Sequence, residues 1–416
     1  MTKPKLSICI PTYNRAIYLK KSLSNLVSIE TFPFEWEIII SDNCSTDETP
    51  RAVAEYKEKC GRIRYLRQTR NVGAENNFNS VLRMATGDYS LYLADDDMLI
   101  PDAVVSVVRY MEQNPNIVAC YASWEYWNDV AKISRGRGYC VEKEVVYEKS
   151  KLVELFDFIT QRHAFPEIAV YRTSTLHKIL YRPHKAYFAF VNLAKLLDCG
   201  DIAFLTDPFY RFVEVHWEGE SREHFGYKQL MWDWDFFRGG LEYLLYKAFR
   251  NLGHATVPAE QRDVTQKMID QFIIFRLSEA MRCLIAARDF ISANELFLRL
   301  LSHGDIPENE SAYYRQLIAP RAAAQSLIET VEAMTGLECI ALYRVSDASA
   351  VETLLKEIRA GLPVRQLSDE GMHDLKDKDR MLVLVGNNEE REELLKAGYQ
   401  NGLVVVEQEL VSQFMP

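Results

Sequence analysis

Short apolar runs alternate with helix-spaced apolar positions along the first 115 residues. Leu6-Ser7-Ile8-Cys9-Ile10 is a strand-length run closed by Pro11, after which Leu19, Leu23, Leu26 and Val27 recur at helical spacing. Residues 35–41 (EWEIIIS) predict a second buried strand, and the turn-rich residues 42–47 lead into a helix near Glu48 with Val53 and Tyr56 on one face. Residues 63–66 predict a third strand. Phe78, Val81, Leu82 and Ala85 predict a third helix, and residues 89–94 a fourth strand that runs directly into Asp95-Asp96-Asp97. Strand and helix in strict succession imply right-handed crossovers and a mostly parallel sheet. Such open sheets bind ligands at the carboxyl ends of their strands. The polar loops 11–15, 42–47 and 95–97 all fall there.

The pattern then changes twice. Residues 116–225 continue as mixed structure, with strand-like 117–121, a helix near 152–160 and strand-like 168–171. Residues 225–334 are almost entirely helix-periodic, broken at 253–258 and 304–307, and predict four to six helices; Gly239-Gly240 reads as a helix start. Residues 336–416 return to alternation and predict a small three-stranded α/β unit with no Gly-rich phosphate loop. The expected class is therefore α/β, with an α/β domain over 1–225 that carries a site at its sheet edge, a helical domain over 226–335 and a small Rossmann-like α/β domain over 336–416.

Composition sharpens this reading. The chain has 416 residues, enough for about three domains at roughly 150 each. Its net charge of −10 argues against a generic nucleic-acid binder. Residues 336–416 hold 9 basic and 15 acidic residues, so −6 of the −10 lies there and acidity says little about the rest. The first residues lack a charged leader with a long apolar stretch, so no signal peptide is expected. The apolar runs are too short for a membrane span. Eight cysteines without a CxxC read as reduced thiols of a cytoplasmic protein.

Asp95-Asp96-Asp97 carries the chemistry. Adjacent carboxylates at a strand end repel one another, which calls for a compensating cation. In an extended segment Asp95 and Asp97 point the same way. All-oxygen ligation suits Mg²⁺ or Mn²⁺, ions that usually bridge to substrate phosphates.

With these motifs in register, the first 115 residues resemble a family 2 glycosyltransferase of the GT-A fold. The matching pieces are residues 7–15 (SICIPTYNR), 37–49 (EIIISDNCSTDET), Arg70-Asn71-Val72-Gly73 with Asn77, and residues 85–89 leading into 93–97 (LADDD). The Asn-x-Gly-x-x-x-Asn-Phe spacing before the triplet is similar to dideoxyhexose-type O-antigen transferases. The resemblance implies that Pro11, Thr12, Tyr13 and Arg15 hold the nucleotide base and pyrophosphate, and that Asp42 accepts from a uracil-type imide. It implies further that Asn71, Gly73 and Asn77 lie beneath the nucleotide, with Asp95 and Asp96 beside the donor and Asp95 and Asp97 on the metal. His216, after residues 210–215, is the candidate third metal or phosphate contact.

One departure stands out. Relatives usually supply a base through Glu-Asp or Asp-x-Asp, where this chain has Phe188-Ala189-Phe190-Val191-Asn192. Inverting transfer needs a base near the acceptor hydroxyl. Glu167 is preferred over Asp198 or Asp207, the competing reading being an ion pair with Arg162 or Arg172; His163 is the fallback. Arg222, in the polar loop 217–222, is a candidate pyrophosphate contact. Trp124, Tyr126 and Trp127 are candidates for stacking on a sugar or for core.

The implied activity is inverting, metal-dependent transfer from a UDP-linked sugar to a cell-surface glycan or its lipid-linked precursor. It would be cytoplasmic or peripheral at the inner membrane, and is compatible with a homo-oligomer. A catalytically degenerate scaffold and a sugar-phosphate nucleotidylyltransferase are the alternatives; the latter needs glycines that the loop 11–15 lacks.

Overall fold

The computed structural model describes residues 6–29, 32–180, 186–216, 234–304, 306–374 and 377–415. The chain divides into two compact units, Met1–Ile273 and Ile274–Pro416.

The first unit begins with β1 (Leu6–Thr12), α1 (Ala16–Val27), β2 (Trp36–Asp42), α2 (Thr49–Lys59), β3 (Ile63–Arg67), α3 (Ala74–Arg83) and β4 (Tyr89–Tyr92). It continues through β5 (Met98–Leu99), α4 (Pro101–Gln113), β6 (Ile117–Ala122), β7 (Glu125–Asn128), β8 (Ile133–Arg137), β9 (Val145–Tyr147), α5 (Leu152–Gln161), β10 (Ala169–Arg172) and α6 (Thr173–Ile179). Next come α7 (Phe188–Leu197), β11 (Asp201–Leu205), β12 (Tyr210–Val215) and α8 (Trp234–Asn251), and the division into units falls within α9 (Ala259–Ala287). The main sheet has the order β3-β2-β1-β4-β10-β6-β11-β9, and a second sheet the order β5-β12-β7-β8.

β1 and β2 are buried on both faces, as expected for parallel strands with helices on either side. The apolar stripe of α1 (Leu19, Leu23, Leu26) and Val81 and Leu82 of α3 are buried with them. β1 runs past Pro11, which the sequence pattern takes as its end. Pro11 is paired only with Ser41 of β2, because the pairing with β4 stops at Cys9. The missing N–H therefore faces a side with no ladder to break.

The strand expected over 168–171 is present as β10, but it runs antiparallel to both neighbours, β4 and β6. Gly239-Gly240 lies inside α8 instead of opening it. A Cβ on Gly240 would sit 3.0 Å from the Phe190 ring and 3.1 Å from Tyr187, so the glycine permits a close approach of α8 to α7.

The second unit contains α10 (Phe290–His303), α11 (Glu308–Ala333), β13 (Cys339–Tyr343), α12 (Ala348–Ile358), β14 (Val364–Gln366), α13 (Gly371–Asp374) and β15 (Met381–Val385). It closes with α14 (Asn388–Lys396), β16 (Val404–Val406) and α15 (Glu407–Ser412). Its sheet is wholly parallel, in the order β14-β13-β15-β16. The fourth strand, β14, is a three-residue edge with two polar side chains, too short to register as an apolar run. Ile340, Leu342, Leu382 and Leu384 share one core with Ala323, Ala324, Leu327, Ile328 and Val331 of α11. Ala341, Tyr343, Val383 and Val385 face the other way, against Met372, Leu394 and Tyr399. No described helix is long and apolar enough to cross a membrane.

Candidate active site

Three loops meet at the carboxyl edge of β1, β2 and β3, and backbone-directed side chains knit them together. After β1, Asn14 adopts a left-handed conformation (φ 53°), as does Cys44 after β2 (φ 66°). Asparagine tolerates this region better than most residues. The Asn14 N–H donates to Ser45 Oγ (2.8 Å), and Asn14 Oδ1 accepts from the Thr46 N–H (2.7 Å). Asp47 Oδ2 accepts from Ala16 N–H at the start of α1 (3.0 Å). Asn43 donates to Asn71 Oδ1 (2.8 Å) and accepts from Val72 N–H (2.8 Å), which fastens the third loop. Gly73 takes φ 86° as that loop turns into α3, a conformation suited to glycine.

Asp42 lies inside this framework, fully buried. Its Oδ1 accepts from Ser45 N–H (2.8 Å) and its Oδ2 from the Tyr65 hydroxyl (2.6 Å), with Arg67 at 3.8 Å. Burial and the bond to Asp42 together push the Tyr65 pKa up. Asn77 is an internal brace as well: it accepts from Ser41 Oγ (2.7 Å) and donates to the carbonyls of Ser41 (2.8 Å) and Thr12 (3.3 Å). Tyr13 is exposed at the rim. A cleft of about 370 Å³ lies beside Asn71, lined by Gln68, Arg70, Asn76 and Ser80.

The acidic triplet follows β4 at the same edge. The Thr12 hydroxyl donates to Asp95 Oδ2 (2.6 Å), and Arg15 Nε lies 3.0 Å from Asp95 Oδ1. The same guanidinium also donates to Asp96 and sits 4.5 Å from the Tyr18 ring centroid. Burial works against the Arg15 charge, but Asp95 and Asp96 overcome it and raise its pKa. Asp97 is buried; its Oδ2 accepts from the Tyr210 hydroxyl (2.8 Å) and its Oδ1 from the Val213 N–H (2.9 Å). The Tyr210 oxygen in turn accepts from Ala94 N–H (3.1 Å). Burial first, then Asp97, holds the Tyr210 pKa well above its usual value. His216 is buried at the end of β12, with its ring edge-on to Tyr18 at 5.0 Å. A contiguous path thus runs from Asp95 and Asp96 through Arg15 and Tyr18 to His216.

The reversal of β10 brings Glu167 to this edge. Val170 pairs with Leu91 in antiparallel register, so the chain just before β10 lies alongside the end of β4. Tyr92 reports the result: its pKa is raised by burial and then by Asp97, Asp96, Asp95 and Glu167 in turn. The other candidates lie elsewhere. His163 (φ 47°) stacks on Phe272 at 5.3 Å, beside the Phe165 and Phe190 rings. Asp198 pairs with Lys149 (3.6 Å) and Lys247, and Asp207 is exposed. Arg162 pairs with Glu142 (3.4 Å), whereas Arg172 donates to the carbonyls of Met111 and Ile117. Trp127 lies under the Arg211 guanidinium at 4.0 Å. Trp124 packs edge-on to Tyr126 and Tyr139. Arg222 and its loop lie outside the described residues. No local pattern marks Tyr210 or Tyr18, whose contacts with Asp97 and His216 join remote parts of the sequence.

A model of glycosyl transferase family 2 matches residues 7–180, which contain all three loops, the acidic triplet and Glu167. Residues 7–180 are therefore similar to glycosyl transferase family 2. The chain is 35% identical over 116 residues to the abequosyltransferase RfbV of Salmonella typhimurium, a match that covers 28% of this chain and 35% of the relative. A GalNAc(5)-diNAcBac-PP-undecaprenol beta-1,3-glucosyltransferase of Campylobacter jejuni is 29% identical over 175 residues, covering 42% and 53%. The chain thus spans about a third to a half of the length of these two curated relatives. Among solved structures, the mannosyltransferase PcManGT of Pyrobaculum calidifontis, in complex with GDP-Man and Mn²⁺, is 15% identical. It covers 86% of this chain and 85% of its own, with a TM-score of 0.43. S. aureus TarS 1-349 in complex with UDP-GlcNAc is 18% identical, covers 86% and 92%, and has a TM-score of 0.44.

Among the described residues no three His, Cys, Asp or Glu side chains form a ready metal cage. The donor chemistry nevertheless suits a hard divalent cation. Three consecutive carboxylates share this edge, and Arg15 pairs with two of them.

Proposed function

We propose that the chain is an inverting, divalent-metal-dependent glycosyltransferase. It would move a sugar from a nucleotide-diphospho-sugar, UDP-linked, to a hydroxyl of a cell-surface glycan or its lipid-linked precursor. The observation that carries this is the joint anchoring of the triplet: Asp95 on Thr12 and Arg15, Asp97 on Tyr210 and Val213. Carboxylates fixed this firmly beside a guanidinium are preorganised for a metal–diphosphate pair.

Asp95 and Asp97 would hold Mn²⁺ or Mg²⁺, with His216 close by. Bound there, the ion supplies Lewis-acid neutralisation of the departing diphosphate. Arg15 binds the pyrophosphate oxygens, and the loops at Pro11–Tyr13 and Asn71–Gly73 shape the nucleotide cradle. Asp42 and Asn77 hold that cradle from within. Glu167 takes the proton of the acceptor hydroxyl, and direct displacement inverts the anomeric centre. The names of the Salmonella and Campylobacter relatives, a sugar transferase and an undecaprenol-linked glucosyltransferase, support an envelope-glycan acceptor met at the cytoplasmic membrane face.

Thermal unfolding with UDP or GDP, with and without Mn²⁺, tests the reading. Stabilisation by UDP that depends on Mn²⁺ is expected. Absence of metal-linked stabilisation by either nucleotide refutes it, and a panel of UDP-sugars then identifies the donor.

A further inference from the structure

We infer that Arg15 is the resident counter-ion of the acidic triplet and makes divalent-cation binding conditional on the donor's diphosphate. The inference rests on the metal-dependent reading above and adds an order of events to it.

The two oxygens of Asp95 are both engaged. Oδ2 accepts from Thr12 (2.6 Å), and Oδ1 faces Arg15 Nε at 3.0 Å. The same guanidinium reaches Asp96 and rests on the Tyr18 ring. A cation approaching Asp95 through Oδ1 therefore meets a positive charge already in place, in a site where Asp95 is only 6% exposed and water screens little. Arg15 cannot lose its proton to make room, because guanidinium stays charged throughout the working pH range. It leaves only if another anion takes it.

A diphosphate is such an anion, since its oxygens match the planar fork of a guanidinium. Arg15 sits at the turn from β1 into α1, the loop proposed to hold the pyrophosphate. Drawing Arg15 onto the diphosphate takes its positive charge away from Asp95 and Asp96, and the net negative charge there then favours uptake of the divalent ion. Nucleotide opens the cation site, and by linkage the cation tightens nucleotide by the same factor. The empty enzyme avoids both an uncompensated acidic cluster and metal held without substrate.

The experiment is a Mn²⁺ titration of the full chain, followed by electron paramagnetic resonance of the free ion, with and without UDP. The wild type is expected to bind Mn²⁺ weakly alone and tightly with UDP. Arg15→Met, which keeps length and loses charge, is expected to tighten nucleotide-free Mn²⁺ binding by at least about tenfold. Arg15→Lys keeps the charge and should retain the weak wild-type behaviour. Nucleotide-free Mn²⁺ affinity that is unchanged or weaker in Arg15→Met, while the wild type binds Mn²⁺ with UDP, overturns the counter-ion role and leaves the metal-dependent reading standing. Failure of the wild type to bind Mn²⁺ even with UDP removes both. If Arg15→Met does not fold, Arg15→Gln replaces it. Mn²⁺ bound by the wild type as tightly without UDP as with it also refutes the inference.

Discussion

Replacing Tyr210 by Phe removes one oxygen and keeps the ring, so no cavity opens in the core. That oxygen has two tasks in a site closed to water: it donates to Asp97 Oδ2 at 2.8 Å and accepts from Ala94 N–H at 3.1 Å. A hydrogen bond to a charged group contributes about 1.5–3 kcal/mol, and a buried N–H left without an acceptor costs about 1–3 kcal/mol. The expected loss is about 3–5 kcal/mol, a large part of a typical folding free energy. For a unit of this size that lowers Tm by about 10 °C. Calorimetry measures the shift, and Tyr139→Phe is the control. Its hydroxyl is buried without a hydrogen-bond partner among the described residues, so its removal should be neutral or stabilising. Equal Tm shifts for the two variants, or a Tyr210→Phe shift under about 2 °C, would refute the claim that Tyr210 holds Asp97.

Three further outcomes are expected. Glu167→Gln should cut turnover by about 10²–10⁴ with UDP-sugar binding intact, the range for losing a general base; undiminished kcat would end its assignment. A methyl on Gly200 would lie 2.5 Å from Val118 Cγ1 and 2.6 Å from the Asn116 carbonyl. Gly200→Ala should therefore lower stability by about 1–3 kcal/mol, read as a lower urea midpoint. Burial pushes the Tyr171 pKa up to about 12, against an ordinary 10 in the unfolded chain. The unfolded state then loses its proton first, so stability is level below pH 10 and falls by about 3 kcal/mol as pH rises through 12. Absorbance at 295 nm should show this tyrosinate forming only as circular dichroism is lost, and early ionisation in folded protein would contradict the burial.

What the sequence made legible is local and contiguous. Residues 63–66 lie in the strand their pattern predicts, and the loops at 11–15, 42–47 and 95–97 meet at one edge because each ends a strand of the same sheet. The brackets around the triplet were not legible. Thr12 and Asp95 are 83 residues apart, and Tyr210 and Asp97 are 113 apart, with no periodicity linking them. Nor does a four-residue apolar run state its direction. Residues 168–171 read equally well as parallel or antiparallel, and only the reversal explains why Glu167 reaches the edge that carries the acidic triplet. The resemblance implies that Asp42 and Asn77 lie at the nucleotide, and in the fold both also satisfy buried backbone and hydroxyl groups, a second task that no local pattern announces.

The shared core of α11 and the C-terminal sheet bears on how this protein can be cut and recombined. Five side chains of the helix, from Ala323 to Val331, cover one face of β13 and β15. A deletion or protease nick after residue 335 would take the five α11 side chains out of the core they share with Leu355 and Leu410 and leave a helix with an exposed apolar stripe. Neither fragment would stay soluble for long. A fragment meant to carry the sheet must therefore begin before α11, and any lineage that gains or loses the sheet must gain or lose the helix with it.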